Sequence, residues 1–363
     1  MVALGESWTG VIGVTVDLGP EGTVAALAYP ALVGAPRVGD DVLLNTTALV
    51  QGLGTGGHAL VVAVPDRLPP DPSGPGHGFG HVVKARYTPT QASVFGADQQ
   101  DSPDHAVLAA ADSVNAMPVV VADLHSALPA VVAGIRADAP DARIAYVLTD
   151  GGALPAWYSR TLAGLAGELC GTVSSGQSFG GDVETATVHS GLLAARHVLG
   201  ADIAVVTQGP GNLGTGTPWG FSGVAAGEVV NAVGVLGGRA VGALRISGAD
   251  PRERHRGVSH HSLTAFGRVA LAPVDLVLPD DLEPTLAAAV LADLADLTGL
   301  AGPQRLVTVS GRGLDVALRT SPVPLSTMGR GLDEDHAYFV TNAAAGRHAA
   351  DLWSGRASSS APA

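Results

Sequence analysis

Acidic residues and a histidine follow two apolar runs of the chain. Asp123 and His125 come after the run 118–122, and Asp150 comes shortly after the run 143–148. An Asp-x-His pair beside a second carboxylate can bind a divalent cation or serve as general acid and base. We therefore predict that these three residues are catalytic groups or ligands of a divalent metal. The structural alternative is that Asp123 caps a helix and His125 is an ordinary hydrogen-bonded histidine.

Residues 252–261 hold three arginines and three histidines in an otherwise acidic chain. Arginine presents a planar fork suited to phosphate or carboxylate, and histidine titrates near neutral pH. We predict an anion site, with arginines as ligands and histidines as catalytic groups (Arg252, Arg254, Arg256, His260 and His261). Because neighbouring side chains of an extended loop point in opposite directions, only one of the two adjacent histidines should face the site. A salt-bridge patch between subunits is the alternative.

A glycine-rich loop follows the apolar run 203–207. Its GxGxxG pattern suggests dinucleotide binding, but with 49 glycines in the chain such a pattern should occur about once by chance. Pro210 removes a backbone donor, and no acidic residue ends a strand about 20 residues further on, as ribose binding requires. These observations argue against NAD or flavin. A tight turn remains possible, as does an anion cradle of backbone amides, for which we predict as ligands Gly209, Gly211, Asn212, Gly214 and Thr215.

From residue 117 onward, apolar strands alternate with helical segments of about 10–15 residues, which is typical of a parallel sheet covered on both faces. The predicted strands are 118–122, 143–148, 203–207, 240–246 and 274–278, and the predicted helices are 127–137, 155–165, 222–235, 284–297 and 333–350. Ligands of such sheets bind beyond the carboxyl ends of the strands. The polar residues described above follow these ends, so we expect them to converge on one site.

The first part of the chain shows a different pattern. Four short β runs lie about ten residues apart with glycine-rich turns between them, which indicates a small barrel or sandwich (11–16, 23–28, 41–44 and 59–64). A proline- and glycine-rich segment, 65–80, follows. We predict a barrel-like β domain over 1–85, a connecting segment over 86–116, an α/β domain over 117–350 and a flexible tail over 351–363.

Composition excludes several classes of protein. Apolar residues make up 46% and charged residues 15% of the chain, which rules out a disordered protein, and a net charge of −13 disfavours binding to nucleic acid. The single cysteine, Cys170, permits neither an internal disulfide nor a cysteine zinc site. Such low charge leaves apolar surface for a monomer to expose, so we expect a homo-oligomer.

The hydropathy pattern bears on location. No uninterrupted apolar run reaches the 18 residues of a spanning helix, and residues 1–10 lack the cationic start of a signal peptide. We therefore expect a cytoplasmic protein that does not contact membranes.

Several segments together resemble a bacterial family known only as domain of unknown function 3866 (54–57, 121–126, 146–157, 208–216, 248–262 and 326–331). The similarity runs from about residue 11 to 348. The resemblance implies neither a catalytic residue nor a substrate, because the family has no established activity.

These observations favour a soluble enzyme, a hydrolase or group transferase, that acts on a small anionic metabolite such as a phosphorylated one. A divalent metal is a candidate cofactor. The alternatives are a non-catalytic protein that binds or senses a metabolite through the same pocket, and a structural oligomer whose loops are subunit contacts.

Overall fold

The computed structural model describes residues 1–54, 56–69, 80–298 and 304–355, without the side chains of 296–298. The first strands are β1 (Ala3–Trp8), β2 (Val11–Asp17), β3 (Thr23–Ala28), β4 (Leu43–Asn45), β5 (Ala59–Ala63), β6 (Val82–Lys84) and β7 (Ala92–Val94). The first helices are α1 (Pro30–Val33), α2 (Thr47–Val50) and α3 (His105–Ala110).

Five of these strands form a small mixed sheet in the order β1-β2-β3-β5-β4, in which β3 and β5 run parallel. Alternate residues of β2, such as Val14 and Val16, are buried against Ala26 and Val61. The predicted small β region is thus confirmed as a mixed sheet. In the described residues this sheet is open rather than barrel-like, because β1 and β4 lie at its edges and do not pair with each other. Strands β6 and β7 form a separate antiparallel hairpin. Of the predicted linker 65–80, residues 70–79 lie outside the described residues.

The remaining strands are β8 (Pro118–Ala122), β9 (Ile144–Thr149), β10 (Gly171–Ser174), β11 (Val183–Glu184), β12 (Ile203–Gln208), β13 (Arg239–Ala243), β14 (Ile246–Ser247), β15 (Gly257–Val258), β16 (Val274–Pro279), β17 (Gln304–Val309), β18 (Ser326–Thr327) and β19 (Arg330–Gly331). The remaining helices are α4 (Leu128–Asp138), α5 (Arg160–Gly164), α6 (Val188–His197), α7 (Ala225–Val235), α8 (His260–Thr264), α9 (Pro284–Thr298), α10 (Leu314–Arg319) and α11 (His336–Ser354).

Within the described residues, eight of these strands form one parallel sheet in the order β11-β10-β9-β12-β8-β13-β16-β17. The predicted α/β fold is confirmed. Strand β8 lies inside the sheet and is buried along its whole length. Its Val120 packs into the core shared with α4 and α11, whereas Val119 and Val121 pack toward α6 and α7. Each of these buried valines contributes about 1.5–3 kcal/mol through the hydrophobic effect.

Helices α4 and α11 cross at very close range over one face of the sheet. A Cβ atom at Gly134 would lie 1.9 Å from the carbonyl oxygen of Ala343, and one at Gly346 would lie 2.1 Å from that of Val131. Only glycine allows this approach at the two positions. The crossing anchors α11 against the sheet.

The structure differs from the predicted elements in several places. The predicted strand 240–246 is two strands, because β14 leaves the sheet and pairs with β15. The predicted helix 155–165 is interrupted: residues 156–158 form a 3₁₀ turn and α5 begins at Arg160. Helix α11 continues to Ser354 with Leu352 buried, so residues 351–354 of the predicted tail are helical, and 356–363 lie outside the described residues.

In the part of the chain that the structure describes, no helix is both long enough and apolar enough to cross a membrane.

Candidate functional site

Three of the predicted site residues directly follow the carboxyl ends of neighbouring strands in the large sheet. Asp123 follows β8, Asp150 follows β9 and Gly209 follows β12, and these strands are neighbours in the order β9-β12-β8. The predicted proximity of the strand ends is therefore found. The three residues nevertheless line different cavities, and only Gly209 shares one with His125, so the expected convergence on one site is not found.

His125 is buried and uses both of its ring nitrogens. Its Nε2 lies 2.7 Å from the hydroxyl of Ser159, and its Nδ1 lies 3.0 Å from the hydroxyl of Tyr146. The Tyr146 hydroxyl in turn lies 2.9 Å from Oγ1 of Thr207, which donates to the carbonyl of Gln208 at 2.8 Å. A continuous row of hydroxyls and imidazole therefore connects Ser159 to the end of β12.

The hydrogen bond from Thr207 to the carbonyl of Gln208 determines which groups donate and which accept in the other hydrogen bonds of this row. Thr207 gives its proton to a carbonyl, which can only accept, so it accepts from the Tyr146 hydroxyl. Tyr146 must then accept from Nδ1–H of His125, which leaves the lone pair of Nε2 facing the Ser159 hydroxyl. The oxygen of Ser159 also accepts from the backbone N–H of Leu162 at 2.9 Å and so caps α5.

Burial controls the charge of the row. It lowers the pKa of His125 to about 4, so the imidazole is neutral at pH 7. Burial also raises the pKa of Tyr146 well above its usual range, and the phenol keeps its proton. A neutral imidazole whose free lone pair faces a serine hydroxyl is the arrangement required for nucleophile activation.

Ser159 and His125 line a cavity of about 560 Å³ between the small sheet and the strand ends. The small sheet and its loops contribute Trp8, Leu27, Gly54, Gly56 and His58. The rest of the lining comes from loops after the strands, from the start of α5 and from β18 and its turn, including Ser126, Arg160, Thr161, Gly209, Pro210, Gly211, Asn212, Ser326 and Met328. The volume suits a small metabolite, and the many hydroxyl groups suit a polar one.

The glycine-rich loop contributes only its first half to this cavity. Gly209, Gly211 and Asn212 line it, whereas Gly214 pairs with Phe221 and Thr215 bonds the carbonyl of Gly220 at 2.8 Å. A Cβ at residue 209 would lie 2.3 Å from the carbonyl oxygen of Ala153, so glycine is needed there for loop packing. This requirement holds whether or not a ligand binds.

Asp123 is buried away from the His125 cavity. Its Oδ2 accepts from the Ser262 hydroxyl at 3.4 Å, and its backbone carbonyl accepts from the Gln208 amide at 2.7 Å. Burial raises the pKa of Asp123 to about 6, opposed by the charge of Arg245 and the hydrogen bond from Ser262. The carboxyl therefore titrates close to physiological pH.

Asp150 lies at another cavity, also about 560 Å³ in volume, beside Arg86 and Gln177. Its Oδ2 accepts from the backbone N–H of Gln177 at 2.8 Å. The structure does not bring Asp150 together with Asp123 and His125, so the three do not form one metal-binding group.

The histidines of the 252–261 segment form a compact cluster. The ring centroids of His260 and His261 lie 4.2 Å apart, and that of His255 lies 5.1 Å from His260 and 4.9 Å from His261. The prediction that only one of the adjacent histidines faces a site assumed an extended loop, whereas α8 begins at His260 and the two rings lie side by side. Burial, followed by the charge of Arg245, lowers the pKa of His255 to about 3.

The three predicted anion-binding arginines do not line the His125 cavity. Arg252 donates twice to the carboxylate of Asp250, at 2.9 Å each, and Arg256 donates to the backbone carbonyl of that residue at 3.0 Å. Arg254 is exposed. Arg245 and Arg330 also bond Asp250, at 3.1 and 3.2 Å. These arginines enclose a buried carboxylate of the protein itself.

Asp250 is ionised in these surroundings. Burial alone would raise its pKa, but hydrogen bonds and charges from the arginines outweigh that effect and hold the pKa well below the usual range.

Three residues of the hydroxyl row were missed by sequence reasoning, namely Tyr146, Ser159 and Thr207. Tyr146 carried a usable signal, because it places a hydroxyl in the middle of an otherwise apolar strand and a buried hydroxyl needs a partner. Ser159 carried no signal, since it lies outside any motif and 34 residues from His125.

None of the curated proteins and none of the solved structures is significantly similar to this chain. The family described as "Protein of unknown function (DUF3866)" matches residues 25–346, and the chain, matched over most of its length, belongs to that family.

Proposed function

We propose that the protein is an enzyme, a hydrolase or group transferase, that acts on a small polar metabolite in the His125 cavity. Ser159 is the nucleophile and His125 its general base. The observation that carries this proposal is the 2.7 Å contact between the Ser159 hydroxyl and Nε2 of His125, at the wall of a cavity of about 560 Å³. Both side chains are held in place, His125 through Tyr146 and Ser159 through the N–H of Leu162.

The proposed reaction follows from this contact. As Oγ of Ser159 attacks an acyl or phosphoryl centre, Nε2 of His125 takes the hydroxyl proton and later gives it to the leaving group. Water or an acceptor alcohol, deprotonated in turn by Nε2, then releases the group from Ser159. The neutral Tyr146 orients the ring but does not offset the charge of the imidazolium, so the pair is a weaker base than one supported by a carboxylate.

An anionic substrate is part of the proposal. Arg160 lies at the cavity, where it is paired with Glu6 at 2.7 Å and lies 4.4 Å from the centre of the Trp8 ring. Gly209, Gly211 and Asn212 are the ligand-binding candidates that line the same cavity. Inorganic phosphate and acetate are simple probes: an anion bound here should raise the melting temperature of the wild type but not that of Arg160→Ala.

A non-catalytic metabolite-binding protein is the second candidate. It is favoured by the helix-capping bond from the Leu162 N–H to Ser159, which by itself explains a serine at this position. The two candidates differ in whether the Ser159 hydroxyl reacts.

A fluorophosphonate probe tests that difference, because it bonds covalently to activated serines. We expect one adduct at Ser159, located by mass spectrometry of peptides, and loss of labelling in Ser159→Asn and His125→Asn. The Ser159→Asn substitution keeps a cap acceptor for the Leu162 N–H but removes the hydroxyl, so a stable and unlabelled variant separates chemistry from capping. Ser326→Ala, at the same cavity, should label normally. A wild type that takes no label, or takes it elsewhere, would support the binding protein instead.

We further propose that the protein acts in the cytoplasm as a homo-oligomer. The support for the oligomer is the low charged fraction of 15%, together with apolar side chains such as Val235 and Leu271 that are 77% and 78% exposed. Light scattering at micromolar concentration should give a mass above that of one chain, and Leu271→Asp should lower it if this surface is the contact. A monomeric wild type would contradict the proposal.

A further inference from the structure

We propose that His255, His260 and His261 form a binding site for one zinc ion. Each can offer a ring nitrogen, and these nitrogens all lie within 4.8 Å of one another. Imidazole is a preferred ligand of zinc, and three histidines are a known ligand set for an ion that keeps a fourth position open. The cluster lies apart from the Ser159–His125 pair and is independent of the proposed function.

The ring nitrogens of the cluster lack the partners that buried polar atoms need. Both nitrogens of His261 and Nε2 of His260 are buried and, among the described residues, make no hydrogen bond. A buried polar atom without a partner costs about 1–3 kcal/mol. Such atoms on two neighbouring rings indicate that something else satisfies them, and one zinc ion would satisfy two of the three, one nitrogen on each ring.

The third histidine is already oriented. Nδ1 of His255 lies 2.7 Å from the Ser259 hydroxyl, which leaves Nε2 as the nitrogen for a metal. Metal-binding histidines usually hold their second nitrogen in this way, which fixes the ring. Ser259 also accepts from the backbone N–H of His261 at 3.3 Å, so one side chain positions two members of the cluster.

The aromatic packing limits how the rings can move. Phe221 stacks on His261 with centroids 3.6 Å apart and planes 5° apart. Zinc–nitrogen bonds of about 2.0–2.1 Å in a tetrahedron place ligand nitrogens about 3.4 Å apart. Because the candidate nitrogens lie within 4.8 Å of one another, small ring rotations reach this spacing, and the stacking of Phe221 restricts the rotation of His261.

The ligand set selects the kind of ion. Among the described residues the set holds three imidazoles and no carboxylate, with Arg245, Arg252 and Arg254 acting on His261 and the carboxylate of Asp250 acting on His255. Calcium and magnesium prefer oxygen ligands and depend on negative charge, so this site disfavours them. Zinc binds imidazole directly, and the nearby positive charge favours an anion, such as hydroxide, in its fourth position.

The test uses the full-length protein without a histidine tag, stripped of metal with a chelator. We expect isothermal titration with zinc chloride to show one tight site per chain, and elemental analysis after desalting to find one zinc per chain. Removing an outer-shell partner weakens metal binding about 10–100-fold, so loss of a ligand in His260→Ala or His261→Ala should weaken it at least about 100-fold. His189→Ala, an exposed histidine of α6, is the matched control and should bind normally.

A spectroscopic measurement separates loss of ligands from loss of fold. Cobalt(II) bound at a four-coordinate histidine site absorbs strongly in the visible region, and His255→Gln, His260→Gln and His261→Gln should each lose that absorption while keeping the circular dichroism of the wild type. Ser159→Asn should keep both zinc and cobalt binding. Absence of zinc binding in the wild type, or binding that survives all three histidine substitutions together, would overturn the proposal.

Discussion

Asp123 and His125 lie two positions apart on the loop after β8, yet their side chains belong to different hydrogen-bonded groups. Asp123 contacts Ser262 of α8, while His125 contacts Tyr146 of β9 and Ser159 before α5. Asp123 therefore does not orient His125, although an Asp-x-His pair suggests that it could. A phenol occupies the place that a carboxylate has in a catalytic triad.

This arrangement predicts unequal effects of two conservative substitutions. Tyr146→Phe keeps the ring in the core but removes the acceptor that fixes Nδ1–H of His125. We expect the rate of fluorophosphonate labelling to fall about 10–100-fold, less than the loss of the whole base, which costs about 10²–10⁴-fold. Asp123→Asn should label at close to the wild-type rate. A larger loss in Asp123→Asn than in Tyr146→Phe would show that Asp123 is the supporting residue.

The pKa of His125 predicts a dependence of stability on pH. Folding lowers this pKa from 6.5 to about 4, so between these values the unfolded state binds more protons. The free energy of unfolding should therefore fall by up to about 3 kcal/mol as the pH is lowered from about 6.5 to about 4. Urea unfolding curves at several pH values measure this free energy, and the difference between wild type and His125→Asn gives the contribution of His125. Parallel pH profiles of the two proteins would contradict the assignment.

The titration of Asp123 should change the stability of the protein with pH in the opposite direction. Its pKa rises from 3.8 to about 6 on folding, so the folded state binds more protons in that range and loses stability as the pH rises through it. In Asp123→Asn this contribution disappears, and the variant should gain stability relative to the wild type above about pH 6. The same urea curves, measured at pH 4 and pH 7, decide the sign. A variant that is relatively less stable at pH 7 than at pH 4 would contradict it.

The carboxylate of Asp250 is predicted to be important for stability. Its side chain is fully buried and bonds Arg245, Arg252 and Arg330. Removing one partner of a buried ion pair leaves uncompensated charge and costs about 3–5 kcal/mol, so we expect Asp250→Asn to lower the free energy of unfolding by about that amount. Asp333→Asn removes an exposed partner of Arg319 and is the control. Equal stability of the two variants would show that the arginines do not depend on Asp250.

At Gly346, substitution by alanine should have the opposite of its usual effect in a helix. Replacing a glycine inside a helix by alanine normally stabilises the helix by about 1 kcal/mol. Here the added Cβ would lie 2.1 Å from the carbonyl oxygen of Val131, so α11 must move away from α4. We expect Gly346→Ala to destabilise the protein by about 1–3 kcal/mol, seen as a lower melting temperature. Gly167→Ala is the control, because among the described residues no atom lies within 4 Å of the added Cβ, and it should not lower the melting temperature in the same way.

Sequence patterns were sufficient for five neighbouring strands of the large sheet, β9, β12, β8, β13 and β16. Strand β8 has the predicted bounds, Pro118–Ala122, and β12 differs from its prediction by one residue, because a strand buried on both faces is a continuous apolar run. The same patterns placed Asp123 and Gly209 close together, since both follow the carboxyl ends of parallel strands, which lie on the same side of the sheet. The two edge strands, β11 and β17, were missed. In β17, exposed residues interrupt the apolar pattern, because this strand lies at the edge of the sheet.

The direction of each side chain at those strand ends depended on the tertiary structure. In an irregular loop, moving by one residue changes which neighbour a side chain contacts. For this reason the side chains of Asp123 and His125 contact different neighbours, although they are two residues apart. Ser159 and His125 contact each other although they lie 34 residues apart in the sequence. The histidine cluster has the same origin: composition placed three histidines in one segment, but the start of α8 at His260 turned two of them to one side. Strand runs are set by local hydrophobic patterns, whereas these contacts depend on how distant loops pack together.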